Sequence, residues 1–378
     1  MKIINCCILL LLCFPAYSQH LSKADYIADL EYLKDTLPKR HINLFTKLSK
    51  ADFEQAVDKL ERQMDQPEEA RFIVGLYRLM KTVGDEHTHV EPVFTTEFPV
   101  KLQQFSEGFF ITGTDTALVG INGHTINDVL QRFKAIIKED NASFFSTRLL
   151  EMLNNPVILK GLAITDNTSE SIFQLRGPDG KVLNRVIRAI PIIKRESQLP
   201  PYTFSYDQST GTLNFKYRDC RNEPTLPFLT FNKTMYAYIA TKHPKRLVID
   251  LRDNDGGNSG ILNPFIDSLK NSYLNTKGKL FVLIGRRTFS SALMNAVDLK
   301  RKTNAILIGE PTSGSVNHYG EVRGFRLPHS HMMVDYSTRY WENWAGHDGP
   351  LIPDVPINYS EKNHRRGIDE ALVYVNQR

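Results

Sequence analysis

Apolar and polar positions follow three different patterns along the chain. Residues 22–83 carry apolar side chains three or four positions apart, which is the spacing of amphipathic helices. Residues 92–195 carry short apolar runs separated by turns such as Asn122-Gly123, which predicts short strands and hairpins. Residues 211–378 carry continuous apolar runs that alternate with helical patterns. This last pattern predicts a mostly parallel sheet whose buried strands are joined by helices.

Capping and turn residues set the expected ends of the elements in the first two regions. Ser22 and Ser49 precede helical patterns and are expected to cap two helices, of which Pro38 should end the first. A third helix is expected over residues 69–82. In the second region the pattern predicts strands at 110–111 and 117–121, an amphipathic helix over 126–137 and a hairpin over 172–190.

The last region predicts a regular succession of strands and helices. Its apolar runs are long enough for strands buried on both faces, and the segments between them have helical spacing. The predicted strands are 212–217, 246–252, 279–284 and 304–309, and the predicted helices are 226–241, 260–271 and 291–301.

The first 18 residues have the features of a signal peptide. Met1-Lys2 is charged, residues 3–14 are apolar, and a small-x-small site ends at Ser18. The apolar run is too short to span a bilayer comfortably. We expect cleavage after Ser18 and an exported protein, periplasmic or secreted, without stable membrane insertion. Lipid attachment at Cys13 is the less favoured alternative. The mature chain would keep only Cys220, expected to be a small core residue without a disulfide partner.

Composition limits the class of protein. The chain has 378 residues, of which 41% are hydrophobic and 24% are charged, and this composition argues against disorder. Its net charge of +5 is small, and acidic residues are interleaved with Lys and Arg throughout. Without a basic run, we do not expect nucleic-acid binding.

Two strand ends carry the residues of acyl-transfer chemistry. The strand that begins at Arg246 leads into Gly256-Gly257, and the strand that begins at Leu280 leads into Thr288-Phe-Ser290-Ser291. A sharp strand-to-helix turn can present a serine hydroxyl as a nucleophile. A neighbouring Gly-Gly loop can offer backbone N–H groups to a developing oxyanion. Ser290 is the candidate nucleophile, although serine is also a favoured helix cap.

The order of four motifs resembles the S41 serine peptidases, which include C-terminal processing proteases, the tricorn core protease and the interphotoreceptor retinoid-binding protein. The motifs are Asp-Leu-Arg-x-Asn-x-Gly-Gly (250–257), Arg-Thr-Phe-Ser-Ser-Ala (287–292), Gly-Glu-Pro-Thr-x-Gly (309–314) and Ile-Pro-Asp (352–354). The resemblance implies an α/β fold with a crotonase-like ββα superhelix in the protease domain.

The resemblance also implies a division into parts. A signal peptide (1–18) would precede an N-terminal helical domain (19–91) and a degenerate PDZ-like α+β region (92–195). The S41 peptidase-like domain would occupy residues 196–378. The PDZ-like region lacks a clear Gly-Leu-Gly-Phe-type loop for peptide binding.

The resemblance further implies which residue serves as the base. Processing proteases carry a lysine after the Gly-Glu-Pro-Thr-x-Gly motif, and this chain has Ser315 there. His87, in Asp85-Glu86-His87-Thr88, matches the histidine element of the tricorn branch. Glu86 departs from the small residue usual before that histidine. His87 would accept the proton of Ser290, although a lone histidine is more often a core residue.

Asp348 is the candidate that would orient His87, because the family places an acid shortly before its Pro-Asp element; Glu342 is the second choice, and a solvated loop acid remains an alternative. The backbone N–H groups of Gly256, Gly257 and Ser291 would form the oxyanion hole. Three polar residues of the first motif are expected to hold that loop rather than touch substrate: Asp250, Arg252 and Asn254. The pairs His87-x-His89 and His329-x-His331 are only weak signals for a metal.

These observations predict an exported serine endopeptidase that acts on a peptide or protein substrate without a cofactor. Two alternatives remain open: a non-catalytic protein that binds an apolar ligand on the same fold, and an esterase-type hydrolase.

Overall fold

The computed structural model describes residues 21–193 and 199–378. The predicted signal peptide lies outside these ranges. No helix within them is both long and apolar enough to cross a membrane.

Three helices open the described chain: α1 (Lys23–Arg40), α2 (Lys50–Gln63) and α3 (Glu69–Val83). Ser22 and Ser49 cap α1 and α2 with capping boxes, as predicted. The prediction that Pro38 ends α1 is wrong, because the helix continues to Arg40. Pro38 lies in the last turn, where its missing N–H removes a single intrahelical bond.

The second region combines short strands with three helices. Strands β3, β4, β5, β7 and β8 are neighbours in that order, with β6 paired to β5 and β2 paired to β9. Helix α4 ends at Phe133, earlier than the predicted end at residue 137. The hairpin β7–β8 turns between Arg176 and Val182, within the predicted range 172–190. The elements are β1 (His89–Glu91), β2 (Thr96–Glu97), β3 (Leu102–Phe105), β4 (Gly108–Ile111), β5 (Ala117–Ile121), β6 (His124–Thr125), α4 (Ile126–Phe133), α5 (Ala142–Met152), α6 (Pro156–Gly161), β7 (Glu170–Arg176), β8 (Val182–Arg188) and β9 (Ile190–Pro191).

A six-stranded sheet organises the last region, with strand order β10-β11-β12-β13-β14-β17. Only β10 pairs antiparallel; the other neighbours are parallel, as the continuous apolar runs predicted. The elements are β10 (Tyr202–Asp207), β11 (Thr212–Tyr217), α7 (Phe228–Lys242), β12 (Arg246–Asp250), α8 (Asn263–Lys270), β13 (Leu280–Ile284), α9 (Ser290–Lys302), β14 (Ile306–Gly309), β15 (His318–Arg326), β16 (Met333–Trp341), β17 (Val355–Pro356), α10 (Glu361–Arg365) and α11 (Glu370–Asn376).

The hairpin β15–β16 connects the last region to the first. Strand β16 pairs with both β15 and β1, so residues 89–91 join a sheet made by residues far along the chain. Apolar side chains of the hairpin, including Phe325 and Val334, enter the same core as the N-terminal helices. That core also contains residues of the second region, such as Phe133 and Phe173. The sequence pattern did not reveal this hairpin.

A separate core fills one side of the six-stranded sheet. Cys220 belongs to it and is buried as a free thiol, which confirms the prediction of a small core residue. Burial raises the pKa of the Cys220 thiol to about 12, so it is not a nucleophile at neutral pH.

Candidate active site

The nucleophile loop, residues 285–291, makes a sharp turn between β13 and α9. The buried side chain of Thr288 fixes it by donating to the carbonyl of Leu251 (2.8 Å) and accepting from the N–H of Gly285 (3.0 Å). Ser290 is the first residue of α9, and its φ of +48° lies in the left-handed region that serine rarely adopts. Such strain is concentrated at functional sites, where surrounding bonds hold it.

The glycine loop, residues 251–257, packs directly against this turn. Asn254 is buried and donates from Nδ2 to the carbonyl of Tyr217 (2.9 Å), while its own carbonyl accepts the N–H of Phe289 (3.1 Å). A Cβ added to Gly256 would lie 2.8 Å from Cβ of Ser290 and 3.0 Å from the amide nitrogen of Ser291. The close approach therefore requires glycine at this position.

The three amides expected at the oxyanion hole have different partners. The N–H of Gly256 donates to Oδ1 of Asn254 at 2.9 Å, so this amide is occupied. The amides of Gly257 and Ser291 have no hydrogen-bond acceptor among the described residues. The hydroxyl of Ser291 donates to the carbonyl of Gly257 at 2.7 Å and ties the two segments together. This geometry leaves Gly257 and Ser291 as the available pair.

The charged residues of the first motif hold the loop, as expected. Arg252 donates to Asp250 through Nε (2.9 Å) and Nη2 (2.8 Å), and it also pairs with Asp369 at 2.7 Å. These contacts are internal and agree with the expectation that Asp250 and Arg252 hold the loop, although Arg252 also lines a cavity.

The base loop, residues 84–88, follows α3 and is organised around the buried carboxylate of Asp85. Gly84 ends the helix in the left-handed conformation. Asp85 then accepts hydrogen bonds from Nε2 of His41 (3.1 Å), from the hydroxyls of Thr88 (2.5 Å) and Ser337 (2.6 Å), and from the N–H of His87 (3.0 Å). Burial alone would raise the pKa of Asp85, but these donors outweigh it and hold that pKa well below its usual range.

The imidazole of His87 stacks on two other rings. It stacks on Phe289, the residue before the nucleophile, with centroids 4.5 Å apart and planes 21° apart. Its other neighbour is His318, at 5.2 Å and 17°. The structure therefore brings His87 next to the nucleophile loop although 203 residues separate it from Ser290. Both ring nitrogens are buried without a hydrogen-bond partner among the described residues, so no Ser290–His87 bond is formed here.

This environment keeps His87 neutral. Burial is the main cause, and the nearby His318 adds to it, so that the pKa of His87 is lowered to about 3. A neutral imidazole has a lone pair that can accept a proton, which is what a general base requires at neutral pH.

Glu86, which departs from the small residue usual before the histidine, is buried and bonded to Ser315. Its carboxylate accepts the N–H and the hydroxyl of Ser315, both at 2.9 Å. The carbonyl of Ser315 in turn accepts Nδ1–H of His318 at 2.8 Å. Sequence reasoning missed His318; the available signal was that Glu86 and Ser315 both depart from the family pattern.

The predicted orienting acids lie apart from the imidazole. Asp348 and Glu342 are exposed, and neither forms a hydrogen bond or ion pair with His87, whose ring nitrogens have no partner. Both lie near the phenol of Tyr340 instead. The role of Asp348 stays a prediction that would require the 342–348 loop to move.

One group of side chains could hold a cation. Nε2 of His89 lies 3.3 Å from Oε1 of Glu91 and 3.6 Å from Oδ2 of Asp335. The same distances suit contacts between the His89 ring and the two carboxylates, and we assign no metal. His329 and His331 lie in the turn between β15 and β16, where His329 pairs with Asp25 at 3.0 Å.

Two cavities flank the site. One of about 750 Å³ is lined by Arg286 and Arg287, just before the nucleophile turn, and by strand β3. The other, of about 370 Å³, is lined by Glu86 and Thr88 on either side of His87. Neither cavity is lined by Ser290 or His87. His87 is 6% exposed and both of its ring nitrogens are buried, so the candidate base is sealed in this conformation.

No family model matches the sequence, and no curated protein matches it. Solved structures do match. Mature CPAF is 13% identical, with a TM-score of 0.65 over 94% of this chain and 97% of that chain. Mature CPAF complexed with lactacystin is 13% identical, with a TM-score of 0.64 over the same shares of the two chains. The tricorn protease is 12% identical, with a TM-score of 0.45 over 94% of this chain and 36% of that chain. The chain has the fold of the S41 serine peptidases, which confirms the resemblance that its motifs predicted.

Proposed function

We propose that this protein is an exported serine-type endopeptidase of the tricorn-like S41 class, acting through an acyl-enzyme. One observation carries the proposal. A strained serine, Ser290, begins a helix against a glycine loop, and a neutral buried histidine, His87, stacks on the residue just before it. A nucleophile, two available amides and a base thus come from three segments that meet at one place.

In this mechanism the hydroxyl of Ser290 attacks the carbonyl carbon of the scissile peptide bond, and His87 accepts its proton. The amides of Gly257 and Ser291 stabilise the oxyanion of the tetrahedral intermediate. His87 then gives the proton to the leaving amine as the C–N bond breaks. Water hydrolyses the acyl-enzyme by the same route, and no cofactor takes part.

Substrate binding must open the site. His87 has no bond to Ser290 in the unliganded chain, and catalytic hydrogen bonds often form only in the substrate complex. Phe289 stacks on the imidazole and precedes Ser290 in the nucleophile loop. A shift of this loop would therefore change the positions of Phe289 and Ser290 relative to His87 at the same time.

The parts of the chain are assigned by the same resemblance. We assign the crotonase-like superhelix to residues 196–378, the PDZ-like region to 92–195 and the helical domain to 19–91, while the role of Asp348 stays a prediction. The helical and PDZ-like parts share one apolar core, which supports their acting as one body. The predicted signal peptide supports export.

The test is labelling of the full-length mature chain with a fluorophosphonate, followed by mapping of the modified residue. We expect one label, on Ser290, and none in Ser290→Ala. Ser291→Ala should still be labelled, although more slowly, because its hydroxyl only braces Gly257. Lactacystin, which binds mature CPAF, is a second probe. A label on Ser291, or full peptidase activity in Ser290→Ala, would reject the mechanism.

The sealed imidazole favours one competing function. If the site never opens, the fold would serve as a non-catalytic binder of an apolar ligand, and neither probe would label Ser290. An esterase would be labelled but would cleave activated esters and leave peptides and proteins intact. Hydrolysis of a casein substrate that disappears in Ser290→Ala separates the peptidase from both.

A further inference from the structure

A chain of contacts connects Glu86 to His318, the second ring that stacks on His87. Glu86, the residue before His87, binds the backbone and the hydroxyl of Ser315. The carbonyl of Ser315 binds Nδ1–H of His318, and the imidazole of His318 lies flat against that of His87. The contacts thus begin and end at neighbouring residues, Glu86 and His87.

Glu86 and His318, at the two ends of this chain, are buried, and Ser315 between them is half-buried. The exposed fractions of Glu86 and His318 are 7% and 6%. Both carboxylate oxygens of Glu86 accept from Ser315, which offsets the cost of burying that charge. Because Nδ1 of His318 donates to a carbonyl, the direction of its ring plane is fixed.

The stacking restricts how His87 can move. An imidazole that stacks on two other rings cannot tilt out of its own plane without displacing a neighbour. The angles of 21° to Phe289 and 17° to His318 show that the three planes are nearly parallel. The nitrogens of His87 are thereby kept in one plane, which a base must hold when the nucleophile approaches.

We propose that Glu86, Ser315 and His318 form a clamp that positions the imidazole of His87 for Ser290, the task that an orienting carboxylate performs in a conventional triad. This inference rests on the proposed function. All three are positioning residues, since they act through His87 and do not touch the reacting atoms. Ser315 would then contribute to the site by linking Glu86 to His318. The processing proteases, which the motifs of this chain resemble, carry a lysine at this position.

Electrostatics supports the arrangement. The groups that face His87 are Asp85 from its own loop, His318 from β15, His89 from β1 and Arg148 from α5. Asp85 favours the charged imidazole, whereas the other three disfavour it. Removing His318 would remove one group that disfavours the charged imidazole and would take away one stacked neighbour. Both changes would raise the pKa of His87 toward its ordinary value of about 6.5.

The experiment compares His318→Ala, His318→Phe, Ser315→Ala and Glu86→Gln in the full mature chain. We expect fluorophosphonate labelling of Ser290 at pH 7.5 to slow about tenfold to a hundredfold in His318→Ala, with kcat falling and KM nearly unchanged. His318→Phe keeps the stack, so it should recover much of the loss. Ser315→Ala and Glu86→Gln should fall between these two variants.

The control is His347→Phe, which replaces a histidine stacked on Trp344 (4.9 Å, 22°) that does not contact His87. It should label like the unchanged protein. Asp348→Asn is the rival variant: if it alone slows labelling while the clamp variants do not, the clamp is wrong and Asp348 is the orienting residue.

A second measurement does not need turnover. Nitrogen-15 NMR of the imidazoles reports the titration of His87 directly. The clamp predicts that its pKa moves upward in His318→Ala and less in His318→Phe. An unchanged pKa in both variants overturns the clamp whether or not the protein is a peptidase. A shifted pKa in a protein that no probe labels would support the clamp and reject the proposed function.

Discussion

The nucleophile loop and the base loop meet at the site but are held in different ways. The nucleophile loop is fixed by short contacts between two adjacent strand ends, β12 and β13, within one sheet. The base loop is fixed by partners from three distant parts of the chain: His41, Ser337 and Ser315. The first is rigid by local construction, and the second depends on how the whole molecule is assembled.

The difference also concerns the reacting groups themselves. Ser290 has a strained backbone conformation, whereas both ring nitrogens of His87 are buried without a hydrogen-bond partner among the described residues. A buried polar atom without a partner costs free energy. The backbone of Ser290 is thus strained, and the ring nitrogens of His87 lack hydrogen bonds. A Ser290–His87 bond formed on substrate binding would provide one of these missing hydrogen bonds.

The largest expected effect is that of His87→Ala. Loss of the base should lower turnover by about a thousandfold or more, while the fold survives because the ring makes no hydrogen bond through its side chain. Steady-state hydrolysis together with circular dichroism measures this. If turnover stayed within tenfold of the unchanged protein, the base would have to come from another residue.

Gly256→Ala should break the nucleophile side. The new Cβ would lie 2.8 Å from Ser290 at a φ of +116°, so the two loops must separate. We expect at least about a hundredfold loss of labelling and about 1–3 kcal/mol lower unfolding free energy. Gly113→Ala is the matched control, since its φ is +78° but nothing lies within 4 Å. Equal loss of labelling in both variants would show that backbone strain alone, and not the contact with Ser290, is responsible.

Asp85→Asn sharpens the comparison between the anchors. An amide cannot accept from all four donors, so we expect about 2–4 kcal/mol lower unfolding free energy in urea titrations. Asn254→Ala on the nucleophile side removes uncharged bonds and should cost about 1–3 kcal/mol. A larger loss in Asn254→Ala would mean that the base loop is held mainly by packing.

The smallest expected effect is a pH dependence of stability. The folded pKa of His87, about 3, is below its ordinary value of about 6.5, so the unfolded chain binds the extra proton between these values. Unfolding free energy should therefore fall as the pH is lowered from about 6.5 toward 3. The lowered pKa of Asp85 adds to this loss only below about pH 4. Urea titrations at pH 7.5 and pH 4.5 should show a reduced difference in His87→Ala; an unchanged difference would place the titrating group elsewhere.

The sequence was informative where residues that lie close together in the structure also belong to the same short motif. The strands 246–252 and 279–284, Ser290 and the Gly-Gly loop could be predicted because parallel strands with buried faces are continuous apolar runs. The α9 boundary was one residue off, because Ser290 itself starts the helix.

The rest depends on contacts between residues that are far apart in sequence. The hairpin β15–β16 lacks a continuous apolar run, and its partner β1 has only three residues, so neither stood out. His318 carried no motif of its own. Glu86 and Ser315 were each visible as departures from the family pattern, but only the structure shows that the two departures contact one another.

The hairpin β15–β16 also sets an order of events during synthesis. The buried carboxylate of Asp29 receives its two amide donors, His329 and Ser330, about 300 residues later in the chain. Asp85 receives the hydroxyl of Ser337 after 252 residues. Contacts of such long range are the last to form, because loop closure must precede them. The partners described for the nucleophile loop all precede residue 292, whereas the base loop cannot gain its last partner until residue 337 has been made.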